Sequence, residues 1–368
     1  MAASIHELCA DDADAVRQFN ARLAHGGVSF AFPAEPVELM PAGTTGDAPY
    51  QTAYVLADGS AVHGGYILKP ERIFAGSAWV AAGNYQLPLS EGIIDRKYAL
   101  VGLQLLKDAL AREPRLYCLG MGGTARPLPQ LLSRLGWAVS EVPFLFRIEH
   151  PGAFTREIRW LRQRARLRIL LDTAYRTGVL TGMVGLARMR RRLSGPRLPA
   201  NVSIDQVPEL PSDIDELFSR VRGDYGLLCD RTEAAMRQKL PPRDPKLVRL
   251  VLSRSGKLDG WIALSLSRLD NHTQFGNMTL GCVVDGLAAA EDVDVLVAEG
   301  CRRLEAGGCD LFVSNQSHPA WIAALRRQGF LRGPSNFVLA LSPSLAAARA
   351  AVACAHFNRA DGDGPINL

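Results

Sequence analysis

Apolar positions along the chain change their spacing several times, and each change marks an element. Ala13–Ala24 has helical spacing, opened by Asp11 or Asp12 and closed by Gly26, which predicts a helix. Gln51–Leu56 and Ala61–Leu68 flank the turn Ala57-Asp58-Gly59-Ser60, a hairpin signal. Ser77–Ile94 reads as extended. Lys97–Arg112 has an apolar stripe at 100, 103, 106 and 110 and reads as a helix. Arg115–Leu119 is a buried strand, Leu128–Leu135 a short helix and Val139–Ile148 a strand that ends this half.

The same order then recurs. Asp213–Val221 and Thr232–Leu240 are helical, and Leu247–Leu252 and Leu258–Leu266 form a hairpin around Ser253–Lys257. Met278–Val284 is a strand, Ala289–Ala306 a helix, Asp310–Ser314 a strand, Ala320–Gln328 a helix and Phe337–Leu341 a strand. The two halves match most closely at the short helices. LPQLLSRLGW ends in Gly136-Trp137 and AWIAALRRQGF in Gly329-Phe330, each with leucines on one face.

Composition adds a boundary. The 368 residues are 48% hydrophobic and 21% charged, globular values that leave room for two domains. The formal net charge of +5 is unevenly placed. Between Pro151 and Ala200 stand twelve arginines (156, 159, 162, 164, 166, 168, 176, 188, 190, 191, 192 and 197), opposed only by Glu157 and Asp172. The chain therefore divides into 1–150, a basic helical segment 151–200, 201–345 and a tail 346–368. Seven cysteines without a C-x-x-C pair argue for reduced thiols and against a disulfide framework or zinc site, and no metal-ligand spacing occurs. The polar, acidic start MAASIHELCADDADAV is unlike a signal peptide, so a cytoplasmic location is expected.

The segment LYCLGMGGTA invites a dinucleotide reading, since Gly120, Gly122 and Ala125 have the G-x-G-x-x-[G/A] spacing. That fingerprint belongs at the first strand-to-helix junction of a parallel sheet. Here a hairpin precedes it and only a short helix follows, so NAD is not expected. The glycines leave the backbone open to close approach by a ligand, or they form a flexible turn before a Pro-started helix.

This order of elements resembles the GNAT acyltransferase fold, and the short helix followed by Gly and an aromatic is similar to that family's usual close. The resemblance covers nearly the whole chain. It implies an α/β (α+β) architecture: two GNAT-like units, each a mixed, mostly antiparallel sheet flanked by helices, joined by the basic helical segment. It also implies an acyltransferase moving an acyl group from acetyl-CoA or another acyl-CoA to an amine or hydroxyl of a small molecule or envelope precursor. In that family two central strands splay to admit pantetheine, and amides opening the next helix hold the pyrophosphate. The family's loop reads [Q/R]-x-x-G-x-[G/A]; here Ala99 to Gln104 retains only Gly102. The resemblance thus places the donor on Ile93, Ile94, Lys97, Leu100, Val101, Gly102 and Leu103. The second unit opens the matching helix with Glu291, Asp292 and Asp294, which would repel a pyrophosphate. The first unit is therefore favoured.

Acyl transfer to an amine needs a base and an acid. Glu91, near the end of the splayed strand, and Tyr98 bracket the donor loop as candidates, against the readings of a surface carboxylate and a packed aromatic. Gly120, Gly122, Tyr225, Asp230, Arg231 and Asn315 are candidate substrate contacts. Asn315, Ser317 and His318 follow a strand end and equally suit a helix cap. Cys229 has no nearby His and is unsupported as a nucleophile. The basic segment, 156–197, fits an anionic membrane surface, which would make the protein peripheral to the inner membrane face, or a linker whose apolar side packs on the domains. Nucleic acid is not expected, since no aromatic-rich platform accompanies the charge. The alternative function is a catalytically silent GNAT-like module that binds a partner or membrane through this segment. Acceptor identity and oligomeric state are not legible.

Overall fold

The computed structural model describes residues 3–35, 51–196, 198–242, 244–347 and 354–362. Arg197 of the basic segment and most of the 346–368 tail lie outside these residues. The chain forms two compact units, Met1–Glu141 with Val338–Arg349 and Val142–Phe337 with Ala350–Leu368.

In the first unit the strands run in the order Ser4–Glu7, Thr52–Asp58, Ala61–Ala75, Ala78–Ser90, Leu116–Met121, Phe337–Leu341, Ala138–Glu141. The second has Val202–Val207, Leu247–Arg254, Lys257–Arg268, Thr279–Ala288, Leu311–Asn315, Phe144–Ile148, Leu331–Gly333. The two sequences of strands correspond place for place. Both hairpins form as their alternation predicts, Thr52 opposite Leu68 and Leu250 opposite Ile262. One parallel pair lies in the middle of each sheet. Each sheet is therefore mixed and mostly antiparallel.

The sixth strand of each sheet departs from the sequence pattern. Val139–Ile148 reads as one strand, yet it breaks at Val142-Pro143. Ala138–Glu141 stays in the first sheet, whereas Phe144–Ile148 pairs with Leu311–Asn315 in the second. In exchange, Phe337–Leu341 pairs with Ala138–Glu141. Proline supplies no ladder donor and restricts the residue before it, so the strand has a natural stop there. The units thus differ by one strand each from the consecutive stretches 1–150 and 201–345.

The helices that end in glycine are built alike. Pro127–Arg134 and Pro319–Arg327 both open with proline. Gly136 and Gly329 both take φ +83°, and the next amides, of Trp137 and Phe330, reach back to the carbonyls of Leu132 and Leu325. That is a left-handed C-terminal cap, which glycine adopts without strain. In the first unit the helix Val101–Arg112 buries Leu105, Leu106 and Ala109 against Tyr66, Tyr85 and Leu116. On the other side Val16, Phe19 and Leu23 of Ala13–His25 pack on Val55 and Ile67. The second unit has Trp261, Phe312 and Trp321 fully buried.

The basic segment is helical, as expected, over Pro151–Glu157, Arg159–Arg162, Ala165–Thr177 and Val179–Ser194, and belongs with the second unit. Among the described residues no helix is long and apolar enough to cross a membrane, and no group of His, Cys, Asp and Glu could hold a metal ion.

Candidate functional site

In the first unit Ala78–Ser90 and Leu116–Met121 pair only through Gly83 with Leu116 and Asn84 with Tyr117. Beyond that point the strands part. The cause lies in the sequence Leu87-Pro88: Leu87 takes φ +43°, Pro88 has no N–H, and the register with the neighbouring strand slips by a residue here. A bulge and a missing donor together release the strand from its partner.

The helix Val101–Arg112 follows this end of the strand. Its N-cap Leu100 makes no side-chain cap and its first turn carries no acid, so the first amides lack intrahelical partners. A Cβ added at Gly102 would meet nothing nearer than Ser90 Cβ at 3.8 Å. Ile93, Leu100 and Leu103 are 61%, 68% and 43% exposed, an apolar surface around those amides. Lys97 Nζ lies 5.2 Å from the Tyr98 ring. Val101 is instead a core residue. Ile94 is partly buried, and its side chain packs against Gly26. The residues expected to hold an acyl donor thus divide into a rim around the helix start (Ile93, Lys97, Leu100, Gly102, Leu103), in which the Lys97 amide is already taken by Asp95 Oδ1 at 2.9 Å, and two packing residues.

Glu91 directly follows the parted strand, and it is not a surface carboxylate. Arg22 Nε lies 2.6 Å from its Oε1 and His63 Nδ1 2.5 Å from its Oε2. Arg22 is anchored a second time, donating to the carbonyl of Val62 at 2.6 Å. Burial works to raise the pKa of Glu91, but Arg22 and His63 outweigh it and hold the carboxyl below its ordinary value. An ionised carboxylate only accepts hydrogen bonds, so this contact places a proton on Nδ1 of His63 and turns Nε2 away from Glu91. The Tyr98 ring stacks on the imidazole: its centroid is 4.2 Å from that of His63, at 19°. Arg22, Glu91, His63 and Tyr98 form one chain of contacts. The sequence pattern does not single out His63 or Arg22. What brings His63 to Glu91 is the pairing of Ala61–Ala75 with Ala78–Ser90, which sets Gly64 opposite Ser90.

The glycine cluster closes Leu116–Met121. Gly120, Met121, Gly122 and Gly123 have φ of 103°, 61°, 76° and 110°. Three glycines accept this run without strain, whereas Met121 does so at a cost of order 1 kcal/mol. The short helix that follows leaves no dinucleotide-type crossover.

The corresponding place in the second unit is filled. Thr279–Ala288 pairs with Leu311–Asn315 only as far as Val283 and Ser314. Past it, Trp321 lies so close to Gly286 that an added Cβ would sit 2.1 Å from its ring. His356 Nε2 is 2.9 Å from the carbonyl of Gly286, and the Tyr225 hydroxyl donates to Ala288 at 2.7 Å. Asn358 bridges to Gln316 and donates to Asp285. Arg231, fully buried, pairs with Asp285 and Asp361, and Lys239 also reaches Asp361. Tyr225 and Arg231 are both fully buried, the first hydrogen-bonded to Ala288 and the second ion-paired to Asp285 and Asp361. Asp230 accepts from the amide of Thr232, which opens a helix, and Asn315 is 2% exposed. The matching helix Val293–Ala306 has Asp292 and Asp294 at its start, ion-paired to Arg254 and Arg327.

No protein-family model matches the sequence, and no similar sequence is found among curated proteins. Solved structures do resemble it. The N-myristoyltransferase of Saccharomyces cerevisiae, solved with bound myristoyl-CoA, aligns with a TM-score of 0.52 at 12% identity, over 92% of this chain and 82% of that one. A probable N-acyltransferase from Enterococcus faecalis V583 gives 0.54 at 10% identity over 94% and 74%. A GCN5-related N-acetyltransferase from Anabaena variabilis gives 0.53 at 11% over 92% and 72%. Identity this low speaks to the backbone alone. With two sheets of corresponding strand order and a parted parallel pair in each, the chain has the fold of the GNAT N-acyltransferases, built twice in one polypeptide.

Proposed function

We propose that the protein is an acyl-CoA-dependent N-acyltransferase whose working site lies in the first unit. The observation that carries this reading is the parting of Ala78–Ser90 from Leu116–Met121, with an uncapped helix start directly after it. The solved relatives named above include one that binds myristoyl-CoA, which supports an acyl-CoA donor. The amides of Val101–Leu103 would take the pyrophosphate, with Lys97 adding a positive charge and Ile93, Leu100 and Leu103 covering apolar parts of the donor.

In acyl transfer the amine nitrogen bonds to the thioester carbonyl carbon, the carbon–sulfur bond breaks, and the ammonium proton must leave. Glu91 is ill suited to take it, because Arg22 and His63 hold it ionised and occupied. We assign the proton to His63 Nε2, with Glu91 setting the tautomer and stabilising the imidazolium. Tyr98, its ring plane fixed by stacking, supplies the proton for the thiolate. The acceptor is an amine on a small molecule or envelope precursor.

The test is thiol release from a panel of acyl-CoAs and amines, followed over pH. His63→Gln should lower kcat/KM by about 10²-fold or more, the usual scale for a general base, with donor binding retained. Glu91→Gln should also lower kcat/KM, by less than His63→Gln, with donor binding retained, because the carboxylate that orients the imidazole is gone. Near-normal turnover in His63→Gln, or a larger loss in Glu91→Gln than in His63→Gln, sinks the assignment. Absence of donor binding by the wild type would favour the silent module.

A further inference from the structure

The arginines of the basic segment serve two purposes. Arg188 and Arg191 turn inward onto Glu149, which is buried and also paired to Arg147. Arg162 pairs with Asp172, and Arg159 donates to Asn271. Phe154, Ile158 and Leu171 are buried, so one side of the segment packs as a linker would. The opposite side does not. Arg164, Arg166, Arg168, Arg176, Arg190 and Arg192 are exposed and enter no ion pair among the described residues.

The same helices expose apolar side chains in a pattern. On Val179–Ser194, Val179, Met183, Leu186, Met189 and Leu193 are 58%, 64%, 63%, 55% and 77% exposed. Their spacing of four, three, three and four residues keeps them on one helix face. Ile169 and Leu170 of Ala165–Thr177 are 64% and 63% exposed. Gly178, at φ +66°, turns one helix into the next. A soluble surface gains nothing by presenting such a row, whereas unpaired arginines among exposed leucines and methionines match an anionic lipid surface on both charge and polarity.

We propose that the helices Ala165–Thr177 and Val179–Ser194 form a membrane-surface anchor, with the apolar row inserted shallowly and the arginines on anionic headgroups. The longest uncharged run of the segment, Thr177–Ala187, is 11 residues and too short to span a bilayer, so the anchor lies on the surface. This inference is independent of the acyl-transfer reading, and its test involves no acyl-CoA.

The full chain is sedimented with vesicles of phosphatidylcholine alone and of phosphatidylcholine mixed with phosphatidylglycerol. Binding to the mixed vesicles only is expected, and it should fall as salt rises from about 0.1 M to about 1 M, where the Debye length shrinks from about 10 Å to about 3 Å. Changing Arg164, Arg166 and Arg168 together to Gln should weaken partitioning at least tenfold, since a basic residue near such a surface is worth roughly fivefold. Met183→Gln with Leu186→Gln should weaken it as well, at exposed sites where the fold is not at stake; unchanged melting curves verify this. Wild-type protein left in the supernatant at low salt overturns the proposal. So does equal binding to neutral vesicles, or self-association that buries this face and is abolished by Met183→Gln with Leu186→Gln while vesicle binding is absent.

Discussion

His356 shows how a single buried side chain sets the conditions under which the second unit is stable. It is fully buried, and burial first, then Arg231 and His318, push its pKa well below the ordinary 6.5, against Asp361 and the Gly286 carbonyl. Asp285 lies 3.7 Å away, and burial raises its own pKa. His318 is also lowered, chiefly by burial. Folding thus disfavours the imidazolium at both, while the unfolded chain takes up protons as pH drops below about 6.5. Stability is therefore intact above that value and declines below it, by up to about 1.4 kcal/mol per pH unit for each histidine. Denaturant melts between pH 8 and pH 5 should show this decline, and His356→Gln, which keeps a donor for Gly286, should reduce its slope. A slope unaltered by the substitution refutes it. Neither this histidine nor His63 was legible in the sequence. Each acquires its role from partners distant along the chain, 70 residues for His356 and Gly286 and 28 for His63 and Glu91. The position of Glu91, by contrast, was legible, because it directly follows a strand whose place in the fold could be counted.

At the scale of elements, hydrophobic period identified most helices and both hairpins, since period reports which face is buried. It missed Ser4–Glu7 and Val202–Val207, edge strands with exposed and polar positions that give a weak apolar signal. It also could not assign Phe144–Ile148 and Phe337–Leu341 to their sheets. Alternation states that a strand has a buried face, not which sheet buries it. The exchange has a consequence for fragments. Phe337–Leu341 lies between Leu116–Met121 and Ala138–Glu141, and Ser342 Oγ accepts from Leu116 N and donates to Pro114 O, each at 3.0 Å. Val338, Leu339, Ala340 and Leu341 are all buried. A fragment of residues 1–150 leaves two strands with open edges and a gap in the core. It should be insoluble or lack cooperative unfolding and near-ultraviolet circular dichroism. Grafting residues 336–347 after Glu141 through a flexible linker should restore both. A cooperative melt of the 1–150 fragment alone would show that the exchanged strand is dispensable.

Across the whole molecule, two units of one strand order have come to different ends. The second has filled its parting with Trp321, His356, Asn358 and Tyr225, and has placed Asp292 and Asp294 at the helix start where an anion would sit. The first keeps the parting, has no acid in the matching turn, and leaves space above Gly102. If the fold supplies the site and side chains decide whether it is usable, one donor should bind per chain, not two. Native mass spectrometry with excess acyl-CoA should show a single adduct. Saturation at about a hundredfold over Kd should stabilise the protein by about 2.7 kcal/mol. Gly102→Asp then separates binding from folding. Gly102 is the second residue of Val101–Arg112, where replacing glycine and adding a carboxylate near the positive helix end should each favour the fold, together by about 0.5–1 kcal/mol. The variant should melt no lower than wild type, yet lose the adduct and the ligand-induced shift. Two adducts on the wild type, or one that persists in Gly102→Asp, would return the donor site to the second unit or to neither.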